Sequence, residues 1–287
     1  MTSSPVCRLC GQEGKLSLSH VVPAFMIRAV EHQKQKGEAS LPHVMHLPAH
    51  GDVREVQGGS WERKAGVKEY LFCAACELKI SGWESYAREF LYGRDPGQPK
   101  KQVLSARQIV GTGISPFGQP ESVRVCQADY TKFKLFQMSL LYRAVIAPGD
   151  WGRRLLLSNR ETARLRDMLN RADPGEQADF PCTMMSLDTE HLPLEGVAQT
   201  PYGIRQGKTV TNIYVVGGYI WMFEASRWHL TQLSQYALLP PSGEFLLMDA
   251  GAEVVAKKLW ERVHADDPTF HLREIKCVAR GGLALSG

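Results

Sequence analysis

Two Cys-x-x-Cys pairs, Cys7-Arg8-Leu9-Cys10 and Cys73-Ala74-Ala75-Cys76, constrain this chain more than any other feature. One such turn sets two thiolates on a metal ion, and two of them complete a tetrahedral Cys₄ site of the kind zinc fills. Gly11 follows the first pair directly, which suits a tight knuckle whose backbone needs a positive φ. Cys7, Cys10, Cys73 and Cys76 are therefore expected to hold one structural Zn²⁺. The competing reading is four buried or redox-active thiols, and two matched pairs in one chain weigh against it. A long stretch separates the pairs, so the chain must leave the site and return to it.

The remaining cysteines, Cys126, Cys182 and Cys277, bring the total to 7. An odd count with knuckle spacing favours a reducing compartment over a secreted disulfide framework, and a cytoplasmic location is expected. The first residues, Met-Thr-Ser-Ser-Pro-Val-Cys, lack the basic-then-apolar pattern of a signal peptide. The longest apolar run, near 213–223, is broken by Gly217-Gly218 and is too short to span a bilayer, so no membrane role is expected. A formal charge of +4 permits an anionic partner without requiring one.

Periodicity places the elements. Residues 15–20 read as a strand, with Leu16 and Leu18 alternating with Ser17 and Ser19. Pro23 opens a helix running to about residue 36. Residues 38–68 read as an inserted loop or hairpin, and the histidines within it, His43, His46 and His50, as part of an exposed loop. Residues 77–92 form a helix with Trp83, Tyr86, Phe90 and Leu91 on one side. Gly93 to Lys101, rich in Gly, Pro and charge, reads as a linker. This divides the chain into a zinc-binding module at 1–93 and an α+β domain at 94–287, and implies that metal removal unfolds the first unit alone.

Beyond the linker, residues 103–110 fit a short helix or strand. Residues 129–146 carry apolar side chains around most of the helix surface and predict a buried core helix. Ser158 and Glu161 form a capping box for a helix over 159–171. Strands are expected at 181–187, 196–202, 209–216, 219–223 and 245–248, with Gly217-Gly218 as a two-residue hairpin turn. A helix over 250–264 and a strand-like tail over 272–278 complete the chain. The whole is α+β, its second part a mostly antiparallel sheet with packed helices.

A histidine at a strand end, followed by Pro and a helix and flanked by zinc knuckles, resembles the HNH (ββα-metal) nuclease family. The matching residues are Cys7, Cys10, His20, Pro23, Cys73, Cys76 and Lys79. The resemblance implies an amino-terminal zinc-stabilised ββα-metal module in which His20 is the general base. It also implies a catalytic divalent ion, Mg²⁺ or Mn²⁺, separate from the zinc. Three positions depart from the family pattern. Ser19 stands where the metal-binding Asp is expected, no Asn lies between His20 and Cys73, and Glu77 follows the second knuckle. Glu77, with Glu84 on roughly the same helix face, is the candidate replacement carboxylate. Glu84 also has a plainer reading, a surface pair with Arg88.

The expected function is metal-dependent phosphodiester hydrolysis on DNA, less so RNA, and family analogy places it in bacterial defence. The alternative is a catalytically inactive zinc module that recognises nucleic acid or a protein partner. Arg160, Arg164 and Arg171 recur near helical spacing and are candidate phosphate contacts, with a solvated, charge-balanced face as the plainer reading. Tyr219, Trp221 and Trp228 read as core aromatics before a stacking platform. The sequence leaves open whether the partner is a second copy or another protein.

Overall fold

The computed structural model describes residues 4–26, 45–47, 54–55, 68–93, 109–112, 123–148, 150–186, 197–199, 201–225, 229–230 and 232–249. The expected helix beyond residue 26, His43 and His50, the 94–101 linker, Trp228, Cys277 and everything after residue 249 lie outside them.

The first knuckle closes locally. The Gly11 amide donates to the Cys7 carbonyl at 2.9 Å, and Gly11 adopts φ 77°, the conformation expected of it. Strand β1 (Leu16–His20) follows. After it come two short strands, β2 (Met45–Leu47) and β3 (Arg54–Glu55), and then β4 (Lys68–Cys73). Strands β1 and β4 pair antiparallel as a two-stranded ribbon, with Leu16 opposite Cys73 and His20 opposite Lys68. β4 runs directly into helix α1 (Ala74–Tyr92). Cys73 is the N-cap of α1 and Cys76 lies in its first turn, so the second cysteine pair straddles the strand–helix junction. The α1 face bearing Ile80, Trp83, Ala87, Phe90 and Leu91 is buried.

The second part begins with β5 (Ile109–Thr112), β6 (Val123–Gln127) and helix α2 (Tyr130–Ile146). A short helix α3 (Asp150–Arg153) leads to α4 (Asn159–Arg171), whose Ser158–Glu161 capping box forms as expected. Then come β7 (Cys182–Ser186), β8 (Val197–Gln199), β9 (Tyr202–Gln206), β10 (Thr209–Val216), β11 (Tyr219–Glu224), α5 (Gln232–Ala237) and β12 (Glu244–Asp249). Seven strands form one sheet in the order β5-β6-β12-β7-β11-β10-β9, antiparallel throughout except for β12 beside β7. The protein is mixed α+β with a mostly antiparallel sheet. The single strand expected over 196–202 is two strands in different sheets. β8 joins β2 and β3, and β9 edges the large sheet. Pro201 lies between them and has no N–H to continue a ladder.

Helix α2 is the centre of the core. Its residues from Phe133 to Ala144 are all buried, including Lys134, Gln137, Ser139 and Arg143. Phe133 lies 4.8 Å from the Phe90 ring of α1 and 5.8 Å from Phe245 of β12. Phe136 meets Trp221 of β11 at 5.8 Å. One continuous cluster of buried residues thus runs from Cys7 and Leu9 in the knuckle, through α1 and α2, to Phe245 and Leu247 in the sheet. Trp221 and Tyr219 belong to this core, 0% and 1% exposed, and are not available for stacking on a ligand. Among the described residues no helix is long and apolar enough to cross a membrane.

The β10–β11 turn is Gly217-Gly218, with φ 64° and 79°, as a two-residue hairpin with right-handed strand twist requires. The Gly217 carbonyl accepts from Tyr92 Oη of α1 at 2.7 Å. A Cβ at Gly217 would collide with that same phenol. Gly217→Ala is therefore expected to cost about 2 kcal/mol or more, from backbone strain and the displaced hydrogen bond together. Urea unfolding checks it, and a loss under about 0.5 kcal/mol, the scatter of an ordinary surface change, would contradict it.

Candidate functional site

The four cysteine sulfurs converge. Cys7, Cys10, Cys73 and Cys76 place their Sγ atoms within 4.8 Å of one another, and Cys10 Sγ lies 3.9 Å from Cys73 Sγ. A tetrahedral ion with Zn–S bonds of about 2.3 Å requires sulfur–sulfur edges of about 3.8 Å. The set can hold a metal such as zinc, and backbone amides already brace its sulfurs and knuckle. The Cys73 amide donates to Cys7 Sγ at 3.3 Å, and the Arg8 amide ties the knuckle to the Leu71 carbonyl at 2.9 Å. Tyr142 of α2 donates its phenol to the Arg8 carbonyl, so the core helix grips the knuckle directly.

Electrostatics point the same way. Burial raises the Cys7 thiol, but the backbone amides of Cys10, Cys73 and Leu9 outweigh it and leave the group at about 7. Cys76 is pushed far up, first by burial and then by the neighbouring thiols of Cys73, Cys10 and Cys7. The Cys7 thiolate therefore forms readily, whereas burial beside the other sulfurs works against a charge on Cys76. A bound cation supplies the countercharge and deprotonates its ligands outright.

His20 is the last residue of β1 and is half-buried. Its neighbour Ser19 is 1% exposed and directs its hydroxyl to the Ser17 carbonyl at 3.4 Å. The surprise in this region comes from the other half of the chain. Arg143 of α2 reaches in and donates through Nη1 to the His20 carbonyl at 3.0 Å and to Glu84 Oε1 at 2.5 Å. Its side chain is 3% exposed against 23% for Glu84. Glu84 therefore pairs across to α2 rather than with Arg88 along its own helix, and its carboxylate is committed to a guanidinium.

Glu77 lies in the first turn of α1, where a negative charge complements the helix dipole. Its Oε1 is buried without a hydrogen-bond partner among the described residues. Apart from the four cysteines, no group of three His, Cys, Asp or Glu side chains converges among the described residues. Lys79, two residues on, donates to the Asn170 carbonyl near the end of α4 at 2.5 Å.

Arg160, Arg164 and Arg171 do share a face, lining a shallow cleft of about 370 Å³. Asp167, Asp173 and Asp179 line the same cleft. Arg164 pairs with Asp179, and Arg171 reaches Asp173 at 3.7 Å. Three carboxylates against three guanidiniums leave little net field for a phosphate.

Arg143 is the residue that sequence reasoning passed over. It sits in an apolar-rich helix next to residues expected to be core, and only its distance from any carboxylate on its own helix hinted at a partner elsewhere. Compared with protein-family models, with curated proteins and with solved structures, the chain finds no match.

Proposed function

We propose that the protein is a phosphodiester-cleaving nuclease with a structural zinc, acting on DNA and less readily on RNA. The observation that carries this reading is the order knuckle, β1 ending on His20, antiparallel β4, and α1 with the second cysteine pair at its start. That order supports the HNH reading without being particular to it, and His20 lies at the end of the ribbon away from the cysteines. In this reading the imidazole of His20 takes a proton from water as the water oxygen bonds to phosphorus and the P–O ester bond breaks. A divalent ion, Mg²⁺ or Mn²⁺, would when bound offset charge on the phosphate, and Glu77 is the carboxylate left to hold it, in the manner of Mg²⁺ sites completed by water and substrate oxygens. Ser19 supplies no carboxylate, and Glu84 is engaged by Arg143.

The engagement of Glu84 also favours a second reading, a zinc module that binds nucleic acid or a protein partner without cutting. Cleavage separates the two. Zinc-loaded protein is incubated with supercoiled plasmid, linear duplex, single-stranded DNA and RNA, with and without Mg²⁺ or Mn²⁺. Wild type is expected to cut in the presence of the ion, and His20→Ala to cut about 10²- to 10⁴-fold more slowly with zinc content unchanged. Undiminished cutting by His20→Ala would remove His20 from the chemistry. Binding without cutting under every condition would leave the second reading.

A further inference from the structure

Leu16 packs against the core, but past the register slip after Ser17 the ribbon that ends on His20 is inside out. Alternation in β1 would turn Leu16 and Leu18 inward and Ser17 and Ser19 outward. Instead Leu18 is 50% exposed and Ser19 is 1% exposed, with the register slipping between Ser17 and Leu18. Opposite Leu18 on β4 stands Tyr70, 65% exposed. A buried serine beside an outward leucine and tyrosine runs against the hydrophobic effect, and such an inversion is the informative kind of burial. Directly opposed residues of an antiparallel pair lie on one face, and residues two apart share it. The outer face of the ribbon therefore carries Leu18, Tyr70, His20 and Lys68 together, with the Leu18–Tyr70 pair about 7 Å along the ribbon from the His20–Lys68 pair. No carboxylate belongs to that set. Glu69, opposite Ser19, lies on the other face.

We infer that this outer face is the substrate surface, and that it takes an unpaired strand. This rests on the nuclease reading of His20 and adds the groups that would hold the strand beside it. Tyr70 offers an exposed ring on which one nucleobase stacks, with Leu18 completing the apolar platform. Lys68, opposite His20, supplies the cation for the phosphate next to the general base. A base can reach Tyr70 only when it is out of the duplex stack, which is why the surface selects single strands. The charge-balanced cleft of α4 offers no such combination.

The test is binding by fluorescence anisotropy, with zinc-loaded full-length protein, no added Mg²⁺ or Mn²⁺, and a labelled mixed-sequence oligodeoxynucleotide as single strand and as duplex. Wild type is expected to prefer the single strand. Tyr70→Thr keeps strand propensity but loses the ring, and is expected to weaken single-strand binding on the order of 10-fold or more. Tyr70→Trp is expected to retain it. Lys68→Gln is expected to lower affinity and to reduce the slope of log K against log salt by about 0.7, one phosphate contact on a single strand. If wild type binds the strand and both Tyr70→Thr and Lys68→Gln bind it equally well, the surface lies elsewhere and this inference falls while the nuclease reading stands. Equal binding of duplex and single strand, unaffected by Tyr70→Thr, overturns it too. If wild type binds neither nucleic acid and also fails to cut, both readings fall together.

Discussion

Stripping the metal from the four cysteines, or replacing Cys76 with serine, is expected to unfold the described fold in one transition rather than to release the knuckle, ribbon and α1 alone. A structural zinc contributes about 10–16 kcal/mol of folding free energy in isolated finger peptides at neutral pH. A whole domain has only about 5–15 kcal/mol to lose. Confinement of the damage would require a separate core beyond α1, and the buried cluster has no such break. Phe90 of α1 packs on Phe133 of α2 at 4.8 Å, and Tyr92 meets Tyr219 of the sheet at 6.2 Å. Tyr142 of α2 bonds the knuckle carbonyl of Arg8. Loss of the metal leaves Cys7 and Cys76 buried among the other two sulfurs, at one end of that same cluster, with no ion to bind the four together. The measurement is urea unfolding of zinc-loaded and chelator-treated protein, followed by far-UV circular dichroism and by tryptophan fluorescence. Trp83 on α1 is 8% exposed and Trp221 in the sheet 0%, so the indoles report both parts. Superimposed curves with a large metal-dependent shift are expected. A sheet signal that outlives α1 after chelation would instead mean two units divided near residue 93. No shift at all would mean that the thiols hold no metal.

What the sequence made legible was local chemistry. The cysteine spacing gave the metal cluster because two thiols three residues apart share a turn whatever the rest of the fold does. The α4 capping box and the Gly217-Gly218 turn were legible for the same reason, each being a contact among residues a few positions apart. The buried character of α2 followed from apolar side chains around most of its surface. The fate of its polar residues did not. Lys134 donates to the carbonyls of Gln177 and Phe180, and Arg143 reaches His20 and Glu84, and each partner is remote in sequence.

The ribbon shows where periodicity stops being informative. Alternation predicts that residues 15–20 form a strand, but not the slip after Ser17 that leaves Leu16 against the core and turns Leu18 outward. Which face is inward depends on what packs behind it, and here the inner face is the one bearing Ser19 and Leu71, buried at 1% and 2%. The short strands β5 and β6 carried too few residues for a pattern to emerge, and the division of 196–202 depended on a proline whose effect is to change sheets rather than merely to end one. The arginines of α4 did fall on one face, as their spacing suggested. A charge-balanced face was the plainer reading, but the carboxylates that pair with Arg164 and Arg171, Asp179 and Asp173, come from the chain after the helix and lay beyond what helical spacing shows.

Breaking the Arg143–Glu84 pair from either side is expected to destabilise the fold by about 3–5 kcal/mol, whereas removing both charges restores most of the loss. A buried ion pair gains little over well-packed apolar groups of the same size, but a single partner left behind is an uncompensated charge in a poor solvent. The two sides are not equivalent. Arg143→Met leaves a carboxylate on Glu84 that is 23% exposed and can turn toward water, so its cost belongs at the lower end of the range. Glu84→Leu leaves a guanidinium 3% exposed whose remaining acceptors among the described residues are the His20 and Ser139 carbonyls, with no partner there for Nη2. That variant is expected to be the least stable. A double-mutant cycle over Arg143→Met, Glu84→Leu and the pair of changes, read by urea unfolding, gives the coupling directly. Additive costs would mean that the two groups do not depend on each other. The cycle also bears on chemistry. The double variant keeps the core filled but removes the donor that fixes the His20 carbonyl, so if the nuclease proposal holds it is expected to fold, to retain zinc and to cut at least about 10-fold more slowly, since small displacements of a catalytic group are costly. Full cleavage by a stable double variant would assign the pair to architecture alone and leave the placement of His20 to the ribbon.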